Sequence, residues 1–201
     1  MNFSPHESDT LHLLCEKLYF HEIQARENLN SRLQLPFAII VAIAGYLGFL
    51  LQNLERDQWS FSFWVFAFFT FFAFSFLLIA ACYFMKAVSG HTYQFIAPGN
   101  FWIAYKDECQ KIYVEFSEDD QIANIAFNKT LMEEYGTKTG VNSNINDDRS
   151  LQLHLTMQML IHAVGYSVVA SLFFYFGGLD KSNHLKPYAV KIVNEVKMEK
   201  Q

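Results

Sequence analysis

The chain has little of what small soluble enzymes and secreted domains rely on. It has only three cysteines, Cys15, Cys82 and Cys109, in 201 residues. They are odd in number and far apart, so they predict neither a disulfide framework nor a metal site. The net charge of −5 gives no general attraction to nucleic acid. We expect a reducing compartment for at least part of the chain.

Catalytic motifs are also missing from the sequence. It has no glycine-rich phosphate loop, no paired-histidine zinc motif and no serine in a nucleophile elbow. The neighbouring acids Glu118, Asp119 and Asp120 would splay apart on a helix, which is typical of a solvated helix start. We therefore expect no enzyme activity, no cofactor and no metal.

Charge is absent from three long stretches, residues 33–52, 61–85 and 156–179. A helix needs about 20 apolar residues to cross the hydrocarbon core of a bilayer. The first two stretches are separated by a short polar turn, which predicts a transmembrane helical hairpin over 33–85. The sequence thus predicts an all-α integral membrane protein, with the hairpin, a third transmembrane helix over 156–179 and a helical insert between them.

Lysine and arginine positions predict how the chain is oriented. The amphipathic helix of residues 1–32 and the insert of residues 86–155 carry nine of these residues, which favours a cytoplasmic location for both. The basic tail of residues 180–201 argues against a third segment that crosses the membrane. A re-entrant segment would place fourteen Lys and Arg residues together on the cytoplasmic side. The length and apolar content of that segment favour crossing. We predict a multi-pass protein of the bacterial inner membrane with a cytoplasmic N-terminus.

Small residues mark possible contact faces on the first span. Ala38, Ala42 and Gly45 share one helical face, and Ala44 and Gly48 form a second small pair. Small residues let helices approach closely in lipid, so we predict that these five pack against a helix. The alternative is that they simply face lipid.

Polar residues interrupt the third span at helical spacing. His154, Gln158 and His162 recur every four residues, and Ser167 and Ser171 repeat that spacing on another face. Polar side chains at membrane depth usually face a bundle interior or water. They predict a pore-lining or gate-lining stripe. The alternative is hydrogen bonding between helices, with His154 among the headgroups.

The insert is predicted to contain a helix over 101–116 and a second helix that Gly136 stops. A polar loop over 137–148 then precedes the third span. Aromatic and basic side chains alternate in the first of these helices, a mixture suited to a stacked base and its phosphate. The ligand-binding candidates are Trp102, Tyr105, Lys106, Lys111 and Tyr113, with Arg149 at the junction with the span. The alternative is an amphipathic helix that packs its aromatics.

The layout resembles a group of bacterial membrane proteins. The resemblance rests on the segment LYFHEIQARENLNSRLQLPFAIIVAIAGYLGFLL, the phenylalanine-rich second span, the helical insert, and Asn142, Asn144, Asn146 and Arg149 before the third span. The chain is similar in plan to SLATT-type anti-phage effectors. It also resembles the membrane component of Hailong-type systems, which pair such a protein with a nucleotidyltransferase. The third span departs from the two-helix plan.

The resemblance implies a function and partners. It implies a homo-oligomer, which we take as a tetramer, that forms a gated ion pore and depolarises the cell in abortive infection. The insert would act as sensor and oligomerisation element for the nucleotidyltransferase or its nucleotide or oligonucleotide product. A non-conducting membrane adaptor that recruits a cytosolic partner is the alternative. A small transporter subunit is a third reading, suggested by Pro36 and Gly165.

Overall fold

The computed structural model describes residues 5–55, 60–117 and 120–181. These residues are helical throughout apart from short connections, so the predicted all-α fold is confirmed. The helices are α1 (Pro5–Arg32), α2 (Gln34–Gln52), α3 (Phe61–Val88), α4 (Gly99–Ser117) and α5 (Asp120–Phe176). Only Leu33 separates α1 from α2.

Among the described residues, three helices are long and apolar enough to cross a membrane, as the predicted plan of a multi-pass membrane protein requires. They are Thr10–Gln52, which ends in α2, Phe61–Val88, which is α3, and Gln121–Phe176 of α5. The observed α2 and α3 match the predicted spans to within three residues. The agreement follows from composition, because only helices satisfy their backbone within a single apolar segment.

The three spans share one core. Its fully buried members include Leu47 and Leu50 of α2, Phe66 of α3 and Leu160 of α5. Small residues also lie there, at Ala73 and Ala80 of α3 and at Ala163 and Ala170 of α5. Each pair is seven residues apart, so it repeats on one helical face. Since lipid exerts no hydrophobic pressure between helices, these alanines let the two longest spans pack closely.

The fifth helix corrects one sequence expectation. Gly136 does not stop a helix, and residues 137–148 are helical rather than a loop. At 1.5 Å per residue, the 57 residues of α5 span roughly 86 Å. Interior glycines disfavour a helix by about 1 kcal/mol each. Contacts that Asn142, Asn146 and Arg149 make on one face of α5 outweigh that preference.

The third span runs the full length of the helical bundle as one continuous helix. Gly178, at a positive φ of 67°, ends α5 in a Schellman motif in which the Leu179 amide donates to the Phe174 carbonyl at 3.0 Å. The Glu55 amide then donates to the Leu179 carbonyl at 2.8 Å. Because Glu55 follows α2, the third span ends beside the α2–α3 connection. The predicted basic tail lies outside the described residues beyond Lys181.

The first helix packs on α5 along one side. Leu29 is buried, and Leu11, Cys15 and Ala25 are half-buried, whereas Leu18 is exposed. Tyr19 is 3% exposed and lies on the same side of α1 as Leu29.

Candidate functional site

A buried arginine lies where all three spans end on one side of the bundle. Arg149 is 5% exposed. Its guanidinium donates from Nε to the Ala87 carbonyl (2.9 Å), from Nη1 to the Tyr93 hydroxyl (2.9 Å) and from Nη2 to Asn30 Oδ1 (2.8 Å). Within the described part of the chain, no carboxylate lies within ion-pair distance of it. The cation therefore rests on neutral acceptors from three separate segments.

Arg149 completes the C-terminal cap of α3. The last carbonyls of a helix lack partners within the helix and carry partial negative charge. The Ser89 amide donates to the Met85 carbonyl at 3.0 Å, and His91 Nε2 donates to the Lys86 carbonyl at 2.8 Å. Arg149 supplies the next donor, on Ala87. The end of the second span is thus held by a cation from the third.

A chain of hydrogen bonds connects this cation to a carboxylate on α1. The Tyr93 hydroxyl accepts from Arg149 and donates to Asn146 Oδ1 at 2.6 Å. Asn146 Nδ2 donates to Glu22 Oε2 at 2.8 Å and to the Glu22 carbonyl at 2.9 Å. We call Glu22, Asn146, Tyr93, Arg149 and Asn30 the relay. It links α1, α5 and the segment after α3 without direct contact between the opposite charges.

The segment of residues 89–98, here called the strap, connects α3 to α4 and is clamped by α5. The Asn142 side chain binds the Gln94 backbone twice, accepting from its amide at 2.9 Å and donating to its carbonyl at 2.8 Å. Lys138 Nζ donates to the Phe95 carbonyl at 2.7 Å. Asn142 is fully buried. The strap is therefore bound through its backbone, as a strand is by a neighbouring strand.

The first helix holds the strap from the other side. The Tyr19 hydroxyl accepts from the Ile96 amide at 3.0 Å. The Arg26 guanidinium lies 4.9 Å from the Tyr93 ring centroid and 5.5 Å from that of Phe95. Contacts of a cation with a ring face are attractive and strengthen when water is excluded. The strap thus joins a membrane-spanning helix to α4 while being fixed between α1 and α5.

The structure divides the five pore-lining candidates between two faces of α5. His154, Gln158 and His162 are exposed, and Gln158 Nε2 lies 3.0 Å from His154 Nε2. Ser167 is buried and Ser171 is half-buried. We call the first three the polar stripe.

The two serines find their partners within one chain. The Ser171 hydroxyl donates to the Ser167 carbonyl at 2.6 Å, and the Tyr46 hydroxyl lies 2.6 Å from Ser171 Oγ. Ser167 Oγ donates to the Ala163 carbonyl at 2.7 Å. Since Ser171 has used its own proton, Tyr46 is the donor in their contact. This is the interhelical hydrogen bonding that the sequence left open as an alternative to a pore.

The six ligand-binding candidates do not form one site. Trp102 and Tyr105 pack on Phe127 of α5 at 6.2 Å between ring centroids, and Lys106 Nζ lies 5.9 Å from that ring. Exposed Lys111 and Tyr113 lie further along α4. Arg149 lies 22 residues beyond Phe127 on α5, roughly 33 Å away at the helical rise. It belongs to the buried relay instead.

The helix-packing candidates of α2 do not face the bundle. Ala38, Ala42, Ala44, Gly45 and Gly48 are all exposed in the single chain. The bulky Ile43, Leu47 and Leu50 occupy the buried face instead. Within one chain these five small residues lie off the buried face of α2, so their predicted role in helix packing stays a prediction. They are available for contact either with another chain or with lipid.

Sequence reasoning did not single out Glu22, Asn30 or Tyr93 as site residues. Their partners lie 53 to 124 positions away along the chain, so no local pattern reveals them. One signal was available: Asn142, Asn146 and Arg149 are spaced by four and three residues, which places them on one helical face. Reading those positions as a loop concealed it.

Comparison with known proteins gives no further guide, because no family model, curated protein or solved structure matches the chain.

Proposed function

We propose that the protein is an oligomeric inner-membrane effector that forms a gated ion pore lined by the polar stripe. The observation that carries the proposal is the exposure of Gln158 and His162 of that stripe within the third span. The His162 ring lies 5.2 Å from that of Phe76, near the middle of α3 (Phe61–Val88). An imidazole at that depth is costly against lipid, whereas a bundle interior or water accommodates it.

Oligomerisation would place the polar stripe in a bundle interior or beside water. In a ring of copies, the face of α5 carrying His154, Gln158 and His162 would turn toward a common axis. The exposed small residues of α2 would then be available for close contact between chains. A homo-oligomer, proposed as a tetramer, would bury both the polar stripe of α5 and the small residues of α2, which are exposed in one chain.

The relay would couple the insert to this pore. Helix α5 carries the Trp102–Tyr105 contact near its start and the polar stripe near its end. Between them, Arg149 ties α5 to the end of α3, and Asn142 ties it to the strap. A nucleotide or oligonucleotide bound at α4, supplied by a nucleotidyltransferase, would shift α4 and the strap and thereby act on α3 and α5. Opening would depolarise an infected cell, as the anti-phage resemblance implies.

The test is current through planar bilayers that contain the full-length protein, with and without oligonucleotides and cyclic nucleotides. We expect discrete conductance that His162→Ala and Gln158→Leu each change. Gln24→Leu, which makes the same change as Gln158→Leu at an exposed glutamine of α1, is the matched control and should leave conductance unchanged. Unaltered conductance in both stripe variants would refute the assignment of the pore.

A non-conducting membrane adaptor remains the second candidate, and one observation favours it. Leu13, Leu14 and Phe20 of α1 are 49%, 50% and 55% exposed outside the predicted spans. Exposed apolar residues grouped on a helix are typical of a partner-binding surface. Overexpression separates the candidates, because a pore that is not held closed collapses the membrane potential. An inserted, folded protein that stays electrically silent with every ligand would favour the adaptor.

A further inference from the structure

A polar cavity of about 290 Å³ lies between α1 and α5, beside the relay. Its walls include Glu22, Asn28 and Arg32 from α1, and Asp147 and Ser150 from α5. Arg32, Asp147 and Ser150 are exposed, so the cavity is open to a ligand. Glu22 belongs to the relay as well, since it accepts from Asn146.

The cavity lies at the depth of lipid headgroups. Arg32 is the last charged residue before α2, and Asp147 comes two positions before Arg149, after which the rest of α5 is uncharged. The α1 wall thus ends directly before the first span, and the α5 wall ends at Ser150, about two turns before the third span. The hydrogen bond from Arg149 to Ala87 places the end of the second span at the same level.

The charges on the walls select the kind of headgroup. Glu22 and Asp147 supply two carboxylates, and Arg32 supplies one guanidinium. No salt bridge among the described residues uses any of the three. Two acids against one base disfavour a polyanion such as a nucleotide. A zwitterion that has both an ammonium and a phosphate satisfies both signs.

We propose that this cavity binds the headgroup of a phosphatidylethanolamine-type phospholipid. The ammonium donates hydrogen bonds to the carboxylates of Glu22 and Asp147, and the phosphate accepts from Arg32 and the Ser150 hydroxyl. A choline headgroup has no N–H to donate, and a glycerol headgroup has no cation. The inference rests on membrane placement alone and does not depend on conductance.

Native mass spectrometry of the full-length protein tests the proposal. The protein is released from nanodiscs that contain equal amounts of phosphatidylethanolamine, phosphatidylcholine and phosphatidylglycerol. We expect retained phosphatidylethanolamine to exceed phosphatidylcholine roughly tenfold, about the effect of one charge-assisted hydrogen bond. Asp147→Asn should reduce that ratio, and Arg32→Gln should lower retention of all three lipids. Asp148→Asn is the matched control, because this neighbouring exposed acid does not line the cavity.

Several outcomes would overturn the assignment. One is equal retention of ethanolamine and choline lipids by the unaltered protein, and another is an equal effect of Asp148→Asn and Asp147→Asn. N-acetylated phosphatidylethanolamine, which lacks the ammonium, should be retained no better than the choline lipid. This comparison uses the unaltered protein, so it tests the need for the ammonium even if a variant fails to fold. Displacement of the lipid by free phosphoethanolamine at matched concentration would indicate a soluble ligand instead.

Discussion

Arg149 caps the second span from within the third, because its Nε donates to the Ala87 carbonyl at 2.9 Å. The same guanidinium reaches Tyr93 and Asn30, so three chain segments converge on one side chain. The guanidinium can bind three segments because the N–H groups on its three nitrogens lie in one rigid plane and point in different directions. Any relative movement of α3 and α5 at this level must break at least one of these hydrogen bonds.

Arg149→Lys should therefore destabilise the protein although it keeps the charge. An ammonium is a point charge on a flexible stem and cannot reproduce the planar fork. We expect a loss of about 2 kcal/mol or more in the free energy of unfolding, measured by denaturant titration in detergent micelles. Lys129→Arg, at an exposed site on the same helix, is the control. Equal stability of the two variants would refute the capping role.

The contact between Tyr46 and Ser171 should be measurable as a coupling energy. It joins α2 to α5 at membrane depth, with 2.6 Å between the two hydroxyl oxygens. A double-mutant cycle with Tyr46→Phe and Ser171→Ala should give about 0.6 to 1.7 kcal/mol, the range found for interhelical hydrogen bonds in membranes. Tyr83→Phe combined with Ser171→Ala is the control cycle and should give no coupling, because Tyr83 lies near the opposite end of the bundle. Strict additivity in the first cycle would contradict the observed packing of these spans.

The absence of charge was enough to locate the spans. An uncharged apolar segment of about 20 residues has the length and composition of a helix that crosses a bilayer. The sequence does not say which face of each span is buried. Ala38 and Gly45 were predicted to pack, yet the shape of the three-helix core selected Ile43 and Leu47 instead. Which face of a span is buried depends on contacts between distant segments, and the local spacing of residues does not encode those contacts.

The relay escaped prediction for a related reason. Glu22 lies 124 positions from Asn146, and Tyr93 lies 56 positions from Arg149. The glycines and asparagines of residues 136–146 have local preferences that indicate a turn. Buried hydrogen bonds reverse that preference at Asn142 and Asn146, and they do so only once α1 and the strap are in place.

Glycine substitutions test the continuity of α5. A Cβ at Gly136 or Gly140 meets no atom within 4 Å, so alanine fits at both positions. Each substitution should raise stability by up to about 1 kcal/mol if the helix is continuous there. Gly177→Ala should do the opposite, because its Cβ would lie 2.6 Å from Ser62 Cβ. Thermal unfolding in detergent measures all three, and destabilisation at Gly136 and Gly140 would instead favour a loop.

The last prediction concerns Tyr135 of α5, which is buried against Tyr19 of α1 with 5.4 Å between their rings. Burial, followed by the charges of Glu16 and Tyr19, raises the pKa of Tyr135 above its usual 10.0. The unfolded chain then releases the phenol proton at a lower pH than the folded chain does. The contribution of Tyr135 to stability is thus complete below pH 10 and is lost as the pH rises through the folded-state value.

Tyr135→Phe removes this titration but keeps the ring, including its edge contact with His12. Stability measured from pH 8 to pH 11.5 should fall more steeply for the unaltered protein than for the variant, with the two curves diverging only above about pH 10. Lysine deprotonation is common to both proteins and cancels in the difference. If the stability curves of the two proteins ran parallel across the whole pH range, the Tyr135 phenol would not be buried against α1.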